Sequence, residues 1–501
     1  MASRTPPTTP YLAPLLAAAP LLLGSSIACE AAAQRIDFDA PPITMDSPLV
    51  PAVIIQGPES LVIESTTLRQ RMSESNVPGM SIAVVIDGEV AWAEGFGFAD
   101  LKEQRKVTHS TLFQAASISK PVAAAGAMRL VEMGILELDR NLDDYLTSWE
   151  IPEPTFEDAW DRTGSPVTLR RLLNHTAGTT VRGFPGYERD SEVPSTVGVL
   201  DGRGNTESVV LSTVPGTKHQ YSGGGYTIAQ LAMTDASELP DEFPSLMFDL
   251  VLEPLGMSNS TFEQPLPEPL HERAATGYKS DGWPLEGSWV VHPEMAAAGL
   301  WTTPTDLAIF FASLQRGMDG QDGPLLTAES VRSMLNYDGD VRYGLGLNVG
   351  SERIGHGGGN RGFRCVATFF NEGGDGVVIM SNGDNGWGVN SDVLRTIFVN
   401  LDWPGLRPIE KVVVELSREQ LERCAGRYIM PGENGSFDVK VDEQGLGLTV
   451  SAPGTSPFRL YPEFPSVFFD PDDGVPITFD GPEEGPATEA TWSGMTAIRD
   501  Q

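Results

Sequence analysis

Ser117 and Lys120 are the residues best suited to chemistry, because they form the only S-x-x-K motif in a chain that has just seven lysines. Three residues apart on a helix, their side chains share one face, and the amine can reach the hydroxyl. A serine becomes a nucleophile when a neighbouring base takes its proton, and a lysine buried against an apolar helix can be that base. Taken alone, however, the motif more often marks a helix cap followed by a surface lysine.

Tyr221 is the second candidate and lies within a turn-rich stretch, residues 215–226, that leads into a predicted helix. A phenol beside a lysine can relay a proton to and from a leaving group. Without such neighbours, Tyr221 would instead be a turn aromatic that packs on the core. Its role therefore depends on whether the fold brings it to Ser117.

The glycine-rich segment 354–363, IGHGGGNRGF, is the third candidate and comes immediately before a predicted strand. Glycines at a strand edge let a substrate backbone lie close and leave an N–H free to polarise its carbonyl oxygen. The segment also matches G-x-G-x-x-G, but a dinucleotide site requires a helix after the glycines, and a strand follows here. We therefore exclude a nucleotide-binding role.

Two predicted hairpins and one apolar helix must position these candidates. The first hairpin spans residues 80–93 around Asp87-Gly88, and the second spans residues 363–380. The Ala-rich run 121–133 is apolar on nearly every side, which is typical of a helix buried in a core. A sheet assembled from both ends of the sequence around a central helix predicts an α+β architecture.

This central part is residues 59–405. The chain outside it divides into three further segments. An apolar stretch followed by small residues makes residues 1–33 a predicted export signal. Residues 34–58 are rich in Pro and Asp and predict a linker. Residues 406–501 alternate short β-rich pieces with Gly, Pro and Asp turns, so we expect a small C-terminal β-barrel or meander.

The export signal allows two processing routes. Signal peptidase could cut after Ala33, whereas the imperfect lipobox that ends at Cys29 would leave this cysteine lipidated. We therefore expect a periplasmic or extracellular protein, either free or tethered to the membrane by a single lipid at Cys29.

The composition excludes several other classes. The chain has 34 Lys and Arg against 68 Asp and Glu, a formal charge of −34, and no local basic stripe, so nucleic acid is excluded as a partner. Its three cysteines lack the spacing of a disulfide framework or a zinc site. The motifs G-x-S-x-G and H-E-x-x-H and the P-loop are absent, and no metal or organic cofactor is implied.

Other conspicuous residues receive structural interpretations. His175 lies in a Leu-Leu-Asn-His-Thr-Ala-Gly loop, where buried turns commonly recruit such side chains for hydrogen bonds. Trp301 either lines a cleft or packs in the core. Thr303-Pro304 predicts the start of a helix.

In their order along the chain, S-x-x-K at Ser117, the Tyr221 element and His-Gly-Gly at His356 resemble the serine β-lactamase and penicillin-binding-protein superfamily. The resemblance is to its class C-like branch of esterases, D-amino-acid peptidases and β-lactamase-related hydrolases, and it covers roughly residues 58 to 400. Four further stretches resemble the same branch: residues 113–121, 168–178, 254–257 and 298–307. The segment after residue 405 resembles the small lipocalin-like module often attached to such hydrolases.

This resemblance implies a β-lactamase/transpeptidase-like fold, an antiparallel sheet flanked by helices plus a helical subdomain. It also implies Ser117 as the nucleophile, Lys120 as its base or proton partner, and Tyr221 as the acid and base for the leaving group and the deacylating water. The backbone N–H groups of Ser117 and Gly359 would form the oxyanion hole. The substrate-binding residues implied by the resemblance are His356, Gly357, Gly358 and Gly359.

Two departures from the family pattern bear on the substrate. Gly223 stands where many relatives have an asparagine that holds the lysine and the substrate amide. His356 replaces the permanently charged lysine of the Lys-Thr-Gly motif, and a histidine can be neutral at working pH. Both departures favour an esterase or a D-aminoacyl amidase over an enzyme that acts on penicillin.

We therefore expect an exported serine hydrolase that cleaves an ester or amide of a small-molecule or peptide-like substrate through an acyl-Ser117 intermediate. One alternative is β-lactamase or DD-peptidase activity. The other is a catalytically silent protein of the same fold that binds a peptide or cell-wall fragment.

Overall fold

A computed structural model describes the protein over most of its length. The described residues are 41–58, 66–154, 156, 160–237, 242–337, 341–430, 435–453, 457–471, 473–482 and 484–500. The predicted export signal, with Cys29, and the first part of the predicted linker lie outside these residues. Within the described ranges, no helix combines the length and the apolar character needed to cross a membrane.

The α-helices found in the described residues are short to medium in length. In chain order they are α1 (Leu68–Glu74), α2 (Ser119–Glu132), α3 (Leu169–Leu173), α4 (Thr196–Leu200), α5 (Gly223–Ala236), α6 (Phe243–Met247), α7 (Glu253–Leu255), α8 (Met295–Ala298), α9 (Pro304–Met318), α10 (Ala328–Leu335), α11 (Gly386–Asn400) and α12 (Arg418–Cys424). As predicted, Thr303 caps α9, with Pro304 in its first turn.

The strands fall into a first group before residue 382 and a second group after it. The first group is β1 (Val53–Gln56), β2 (Gly79–Ile86), β3 (Glu89–Asp100), β4 (Arg105–Lys106), β5 (Phe113–Gln114), β6 (Tyr187–Glu188), β7 (Val290–Val291), β8 (Trp301–Thr302), β9 (Asn348–Val349), β10 (Arg353–Asn360), β11 (Phe363–Phe370) and β12 (Gly376–Ser381). The second group is β13 (Ile409–Val412), β14 (Gly426–Ile429), β15 (Ser436–Val441), β16 (Leu448–Ser451), β17 (Phe458–Phe464), β18 (Val467–Phe469), β19 (Pro476–Asp480), β20 (Glu489–Trp492) and β21 (Met495–Arg499).

A seven-stranded antiparallel sheet forms the centre of the hydrolase-like part, in the order β4-β3-β2-β12-β11-β10-β9. Both predicted hairpins are confirmed, β2 with β3 and β11 with β12, and β2 pairs with β12 to join them. The sheet is therefore assembled from both ends of the sequence, as the α+β prediction required.

The segment 354–363, predicted to come before a strand, belongs mostly to strand β10 itself. Strand β10 pairs with β11 along its whole length, whereas β9 pairs only with Ile354 and Gly355 of β10. Residues from Gly357 to Asn360 therefore form an open edge of the sheet, although glycine is a poor strand former.

Strand β2 shows how the sheet separates two cores. Its side chains alternate between the two faces, as the pleat of a strand requires. Ile82 and Val84 join a core with α11 and α1, whereas Ala83 and Val85 face a larger core that contains α2, α5 and α9. Every residue of β2 except the last is buried, so both faces of this strand are covered.

Helix α2 lies inside the larger core and carries Ser119 and Lys120 in its first turn. From Ser119 to Met128 each of its residues is buried, which confirms the prediction of a helix that is apolar on nearly all sides. Gly126 lets Met247 pack closely on the helix, because a Cβ at this position would lie 2.6 Å from the sulfur of Met247. Trp301 is fully buried against Trp289 and Phe363, so it packs in the core rather than lining a cleft.

Strands β14 to β21 close into an eight-stranded barrel, which confirms the predicted small C-terminal β domain. Its interior is filled by side chains, with Phe468 packed edge-to-face on Phe479 and Tyr428 packed on both Phe437 and Phe479. Helix α12 contributes Leu421 to the same core. Part of the predicted linker is a strand, because β1 pairs in parallel with β13 at the entrance to the barrel.

We expect Phe468→Ala to lower the free energy of unfolding by about 3–5 kcal/mol, because Phe468 is fully buried in the barrel core. The matched control is Phe464→Ala on the neighbouring strand, where the side chain is 59% exposed and the expected change is within about 0.5 kcal/mol. Urea unfolding followed by circular dichroism measures both. Equal effects of the two substitutions would contradict the described barrel interior.

Candidate active site

Ser117 lies in the short turn Ala116–Ile118, which runs directly into α2. The preceding residue, Ala116, is fully buried and has a φ of 49°. This left-handed conformation costs a residue with a Cβ about 1–2 kcal/mol, so the surrounding packing must hold it in place. The turn brings Ser117 to the wall of a cleft at the N-terminal end of α2, where the helix dipole is positive.

Lys120 is only 2% exposed, and its amine lies between two oxygens. The Nζ atom is 3.1 Å from Ser117 Oγ and donates to the carbonyl oxygen of Ala297 at 2.8 Å. None of the salt bridges among the described residues includes Lys120. The contact that the S-x-x-K spacing predicts is therefore present, and the carbonyl group on α8 fixes the amine beside the hydroxyl.

Tyr221 lies next to the amine, with Lys120 Nζ 5.0 Å from the centroid of its ring. It is half-buried and lines the same cleft as Ser117. The residues on both sides of Tyr221 are bonded to His175: Gln220 N–H donates to its carbonyl oxygen at 2.7 Å, and Ser222 N–H donates to its Nδ1 at 3.1 Å. These two bonds fix the position of Tyr221 in the cleft.

His175 supports Tyr221 directly, since the two ring centroids are 4.2 Å apart. Burial and the nearby Lys120 hold the pKa of His175 well below its ordinary value, so the ring is neutral. Because Nδ1 accepts a hydrogen bond from a backbone N–H, the proton of the neutral ring is on Nε2. The hydrogen-bonding role predicted for this loop residue is confirmed, and the contact with Tyr221 is additional to it.

A loop of residues 180–184 is attached to the N-terminus of α5 beside Tyr221. The hydrogen bonds that join the two segments are Ser222 Oγ to Thr180 O at 2.6 Å, Gly223 N–H to Arg182 O at 3.1 Å and Gly224 N–H to Val181 O at 3.0 Å. Ser222 also caps α5 by accepting from Gly225 N–H. The loop and the helix therefore form one wall of the cleft.

Gly223 is explained by this loop. A Cβ at this position would lie 2.8 Å from Cε2 of Phe184 and 3.3 Å from the carbonyl oxygen of Arg182. The ring of Phe184 therefore fills the space that an asparagine side chain at residue 223 would occupy. The loop therefore leaves little room for a larger side chain at residue 223.

His356 lies in β10, is buried, and uses both ring nitrogens within the protein. Nδ1 is 2.6 Å from the carbonyl oxygen of Gly357, which can only accept, so Nδ1 carries the proton. Nε2 then accepts from the hydroxyl of Tyr343 at 3.0 Å. Burial, together with the positive charge of Lys120, lowers the pKa of His356 to about 3, so this side chain is neutral at working pH.

The three glycines after His356 lie in different surroundings. A Cβ at Gly358 would overlap the carbonyl oxygen of Ala115 and lie 2.7 Å from the sulfur of Cys365, so this residue joins β10 to the turn that carries Ser117. Gly357 and Gly359 line the cleft and lie against the ring of Trp387. The open edge of β10 thus faces Ser117, with an aromatic side chain beside it.

The cleft has a volume of about 1600 Å³ and collects the predicted residues in one place. Among the described residues that line it are Ser117, Tyr221, His356, Gly357 and Gly359. Lys120 lies behind Ser117. Gly358, which is also part of β10, packs against Ala115 in the segment that carries Ser117. The structure therefore brings together the three distant segments, and none of the predicted site residues lies elsewhere.

Several cleft residues were not found from the sequence. Tyr343 and Trp387 follow turns and belong to no motif, and only their place in the fold shows their contact with His356 and with the glycines of β10. Arg182 and Phe184 lie in a loop that has no regular pattern. The single sequence signal for Tyr343, Trp387 and Phe184 was that each aromatic residue is next to a glycine. Glycine is common in every kind of turn, so this signal does not indicate a cleft.

Comparisons with known proteins agree with this fold. Residues 65–397 match the family model described as Beta-lactamase. A beta-lactamase from Yersinia enterocolitica is 27% identical over 296 residues, which cover 57% of this chain and 68% of that protein. The chain spans less than half of the length of some other curated relatives.

Two solved structures have a similar fold. The octameric penicillin-binding protein homologue from Pyrococcus abyssi is 22% identical, with 86% of this chain and 98% of that chain covered and a TM-score of 0.59. The D-amino acid amidase from Ochrobactrum anthropi SV3, complexed with L-phenylalanine amide, is 22% identical, with 67% and 96% covered and a TM-score of 0.53. Because the family model matches more than half of the chain, the chain belongs to the beta-lactamase family of serine hydrolases, and the similar structures show that its fold is β-lactamase/transpeptidase-like.

We expect Gly358→Ala to abolish covalent labelling of Ser117 by a fluorophosphonate, because the added Cβ would force β10 away from the turn that carries the serine. Gly359→Ala is the matched control, since its Cβ would make ordinary contacts at 3.4 Å with Trp387 and 3.5 Å with Arg364. Intact-mass measurement after labelling distinguishes the two. Equal labelling of both variants would contradict the described contact between β10 and Ala115.

The lowered pKa of His356 makes stability depend on pH. Below pH 6.5 the unfolded chain takes up a proton at this residue that the folded protein takes up only near pH 3. The free energy of unfolding should therefore fall as the pH falls from 6.5, with a slope that approaches about 1.4 kcal/mol per pH unit for this group.

The measurement is urea unfolding between pH 7.5 and pH 4.5, in the native protein and in His356→Asn. The variant should lose this share of the slope, whereas His109→Asn, at an exposed position, should keep it. A native slope that His356→Asn leaves unchanged would exclude a neutral His356 in the folded protein.

Proposed function

We propose that the protein is an exported serine hydrolase that cleaves an ester or amide bond through an acyl-Ser117 intermediate. The observation that carries this proposal is the 3.1 Å contact between Ser117 Oγ and the buried amine of Lys120, at the wall of a cleft that Tyr221 also lines. In this pair the Ser117 hydroxyl is the nucleophile and the Lys120 amine is the base beside it. A nucleophile next to a base is the arrangement that covalent catalysis requires.

In the acylation step, Ser117 Oγ attacks the carbonyl carbon of the substrate while the Lys120 amine acts as the base that accepts the hydroxyl proton. The negative charge that develops on the carbonyl oxygen is stabilised by the backbone N–H groups of Ser117 and Gly359 and by the positive end of α2. The tetrahedral intermediate then collapses, the bond to the leaving group breaks, and the Tyr221 hydroxyl donates a proton to the departing oxygen or nitrogen.

In the deacylation step, a water molecule takes the place of the leaving group. Tyr221, deprotonated in the first step, accepts a proton from this water as its oxygen attacks the acyl carbon. The acyl–Ser117 bond breaks, and Ser117 Oγ recovers its proton from Lys120. Both side chains return to their initial protonation states, so the cycle needs no cofactor.

Two features favour an ester or a D-aminoacyl amide over a β-lactam or a DD-peptide. His356 is neutral and has both nitrogens in hydrogen bonds, so it does not offer a fixed positive charge to a substrate carboxylate. Phe184 fills the space beside Gly223, where an amide-binding side chain would stand. The fold is similar to that of a D-amino acid amidase, which is in keeping with the second of these substrate classes.

Export is part of the proposal and is supported by the sequence of residues 1–33, an apolar stretch followed by small residues. We propose a periplasmic or extracellular location, with cleavage after Ala33 or lipidation of Cys29. The N-terminal sequence and mass of the protein secreted by an expressing bacterium separate these two routes.

We expect a fluorophosphonate to add one adduct per chain to the native protein and none to Ser117→Ala, because Oγ is the proposed nucleophile. Lys120→Ala and Tyr221→Phe should each lower kcat/KM for simple aryl esters by about 10²–10⁴-fold, which is typical of a lost general acid or base. Intact-mass analysis and release of 4-nitrophenolate measure these effects.

The same assays decide between the proposal and its alternatives. Labelling that survives in Ser117→Ala would remove Ser117 as the nucleophile. Labelling without turnover of any ester, D-amino-acid amide or β-lactam would favour a silent binding protein. Turnover of a penicillin faster than of esters or amides would favour β-lactamase activity.

A further inference from the structure

The indole of Trp387 is an exposed apolar surface inside the cleft. Among the described residues, Trp387 and Val341 are the most exposed of the large apolar side chains that line the cleft, at 44% each. A large apolar side chain that stays in contact with water inside a concave site is typical of a surface that a ligand covers. The cleft that holds Ser117 therefore has an apolar part in addition to its polar groups.

The glycines of β10 leave this indole uncovered. A Cβ at Gly357 would lie 3.1 Å from Cη2 of Trp387, and a Cβ at Gly359 would lie 3.4 Å from Cζ2 of the same ring. Residues two apart in a strand point to the same face, so both glycines lie along the six-membered ring. Gly358 points to the opposite face, toward the turn that carries Ser117. A substrate along the open edge of β10 thus has the serine on one side and the indole on the other.

The segment before Trp387 holds the indole in a fixed place. Asp384 forms a 2.9 Å salt bridge with Arg364, which lies on the neighbouring strand β11. The side chain of Asn385 donates to the carbonyl oxygen of Ser280 at 2.9 Å. Trp387 follows in the first turn of α11, which packs against β11 and β12. An aromatic side chain on such a support loses little conformational freedom when a ligand covers it.

The position of Trp387 relative to Tyr221 indicates which half of the substrate the indole meets. Tyr221 would protonate the leaving group, and its ring contacts are with His175, Tyr343 and His356. In the described part of the chain, Trp387 makes no ring contact with Tyr221. The indole lies instead against Gly359, whose N–H would stabilise the oxygen of the acyl carbonyl. The acyl half of the substrate is therefore the half that passes over the indole.

We propose that Trp387 forms an apolar subsite that selects esters or amides whose acyl half carries an aromatic group. This inference rests on the proposed function, because the attack by Ser117 defines the acyl half. An aromatic ring stacked on the indole removes apolar surface of both rings from water, and the aromatic pair adds a favourable interaction of its own. The subsite requires no charge on the substrate, which agrees with the neutral His356.

The test uses two esters that share one leaving group and differ in the acyl half, 4-nitrophenyl 3-phenylpropanoate and 4-nitrophenyl acetate. We expect the native protein to prefer the phenylpropanoate. Trp387→Ala should lower this preference, which is the ratio of the two kcat/KM values, by about 10-fold or more, mainly through KM. Trp387→Phe retains an aromatic ring and should keep most of the preference. Release of 4-nitrophenolate measures all four rates.

Trp283→Ala is the matched control, because Trp283 is 70% exposed and is not among the residues that line the cleft. This variant should leave the ratio of the two esters unchanged. A ratio that Trp387→Ala leaves at its native value would overturn the acyl subsite. If the two kcat/KM values then fall together, the indole contacts the leaving-group ring that both esters share.

Failure of this inference differs from failure of the proposed function. If both esters are hydrolysed in a Ser117-dependent manner and Trp387→Ala does not change their ratio, the apolar subsite is excluded and the hydrolase remains. If neither ester is hydrolysed and Ser117 takes up no fluorophosphonate label, the proposed function is excluded, and this inference with it.

Discussion

The structure of the site depends on one buried amine. Lys120 Nζ lies between Ser117 Oγ and the carbonyl oxygen of Ala297, and each neighbour comes from a different element. Helix α8, which carries Ala297, is held by Gln230 of α5 through Ala296 N–H and Pro293 O. The segment that ends at the cap of α5 carries Tyr221. Helix α5 thus sets the distance between the amine and the phenol, and both α2 and α5 are buried over most of their length.

The glycines of β10 meet a second constraint, the close approach of the sheet edge to the serine turn. Gly358 lies against Ala115, and Asn360 donates to Gln114 Oε1 at 2.7 Å and to Ala298 O at 3.1 Å. The strand is therefore bonded both to the segment before Ser117 and to α8. Because the edge, the nucleophile and the amine share these contacts, a displacement of any one of them is transmitted to the other two.

Much of this arrangement could be predicted from the sequence, because its signals are local. The S-x-x-K spacing, the two hairpin turns and the apolar run of α2 each depend on neighbours within a few residues, and each prediction agrees with the structure. The contacts of Tyr343, Trp387 and Phe184 could not be predicted, since they are made by residues far apart in the chain. The strand β10 was not predicted because glycine opposes strand formation, and pairing with β11 outweighs this preference.

The parallel pair of β1 and β13 has a consequence for how the two parts of the molecule depend on each other. Val53 pairs with Ile409, so a segment that precedes the hydrolase-like part finds its partner only in the segment that follows it. Val413 N–H then donates to Gln56 O, and Val414 N–H to Pro462 O within the barrel. During synthesis the backbone groups of β1 therefore stay without β13 as a partner until the whole hydrolase-like part has been made. Residues 53–56 thus obtain both their backbone partner, β13, and their packing partners in the barrel, Tyr461 and Phe469, from segments that are synthesised after the hydrolase-like part.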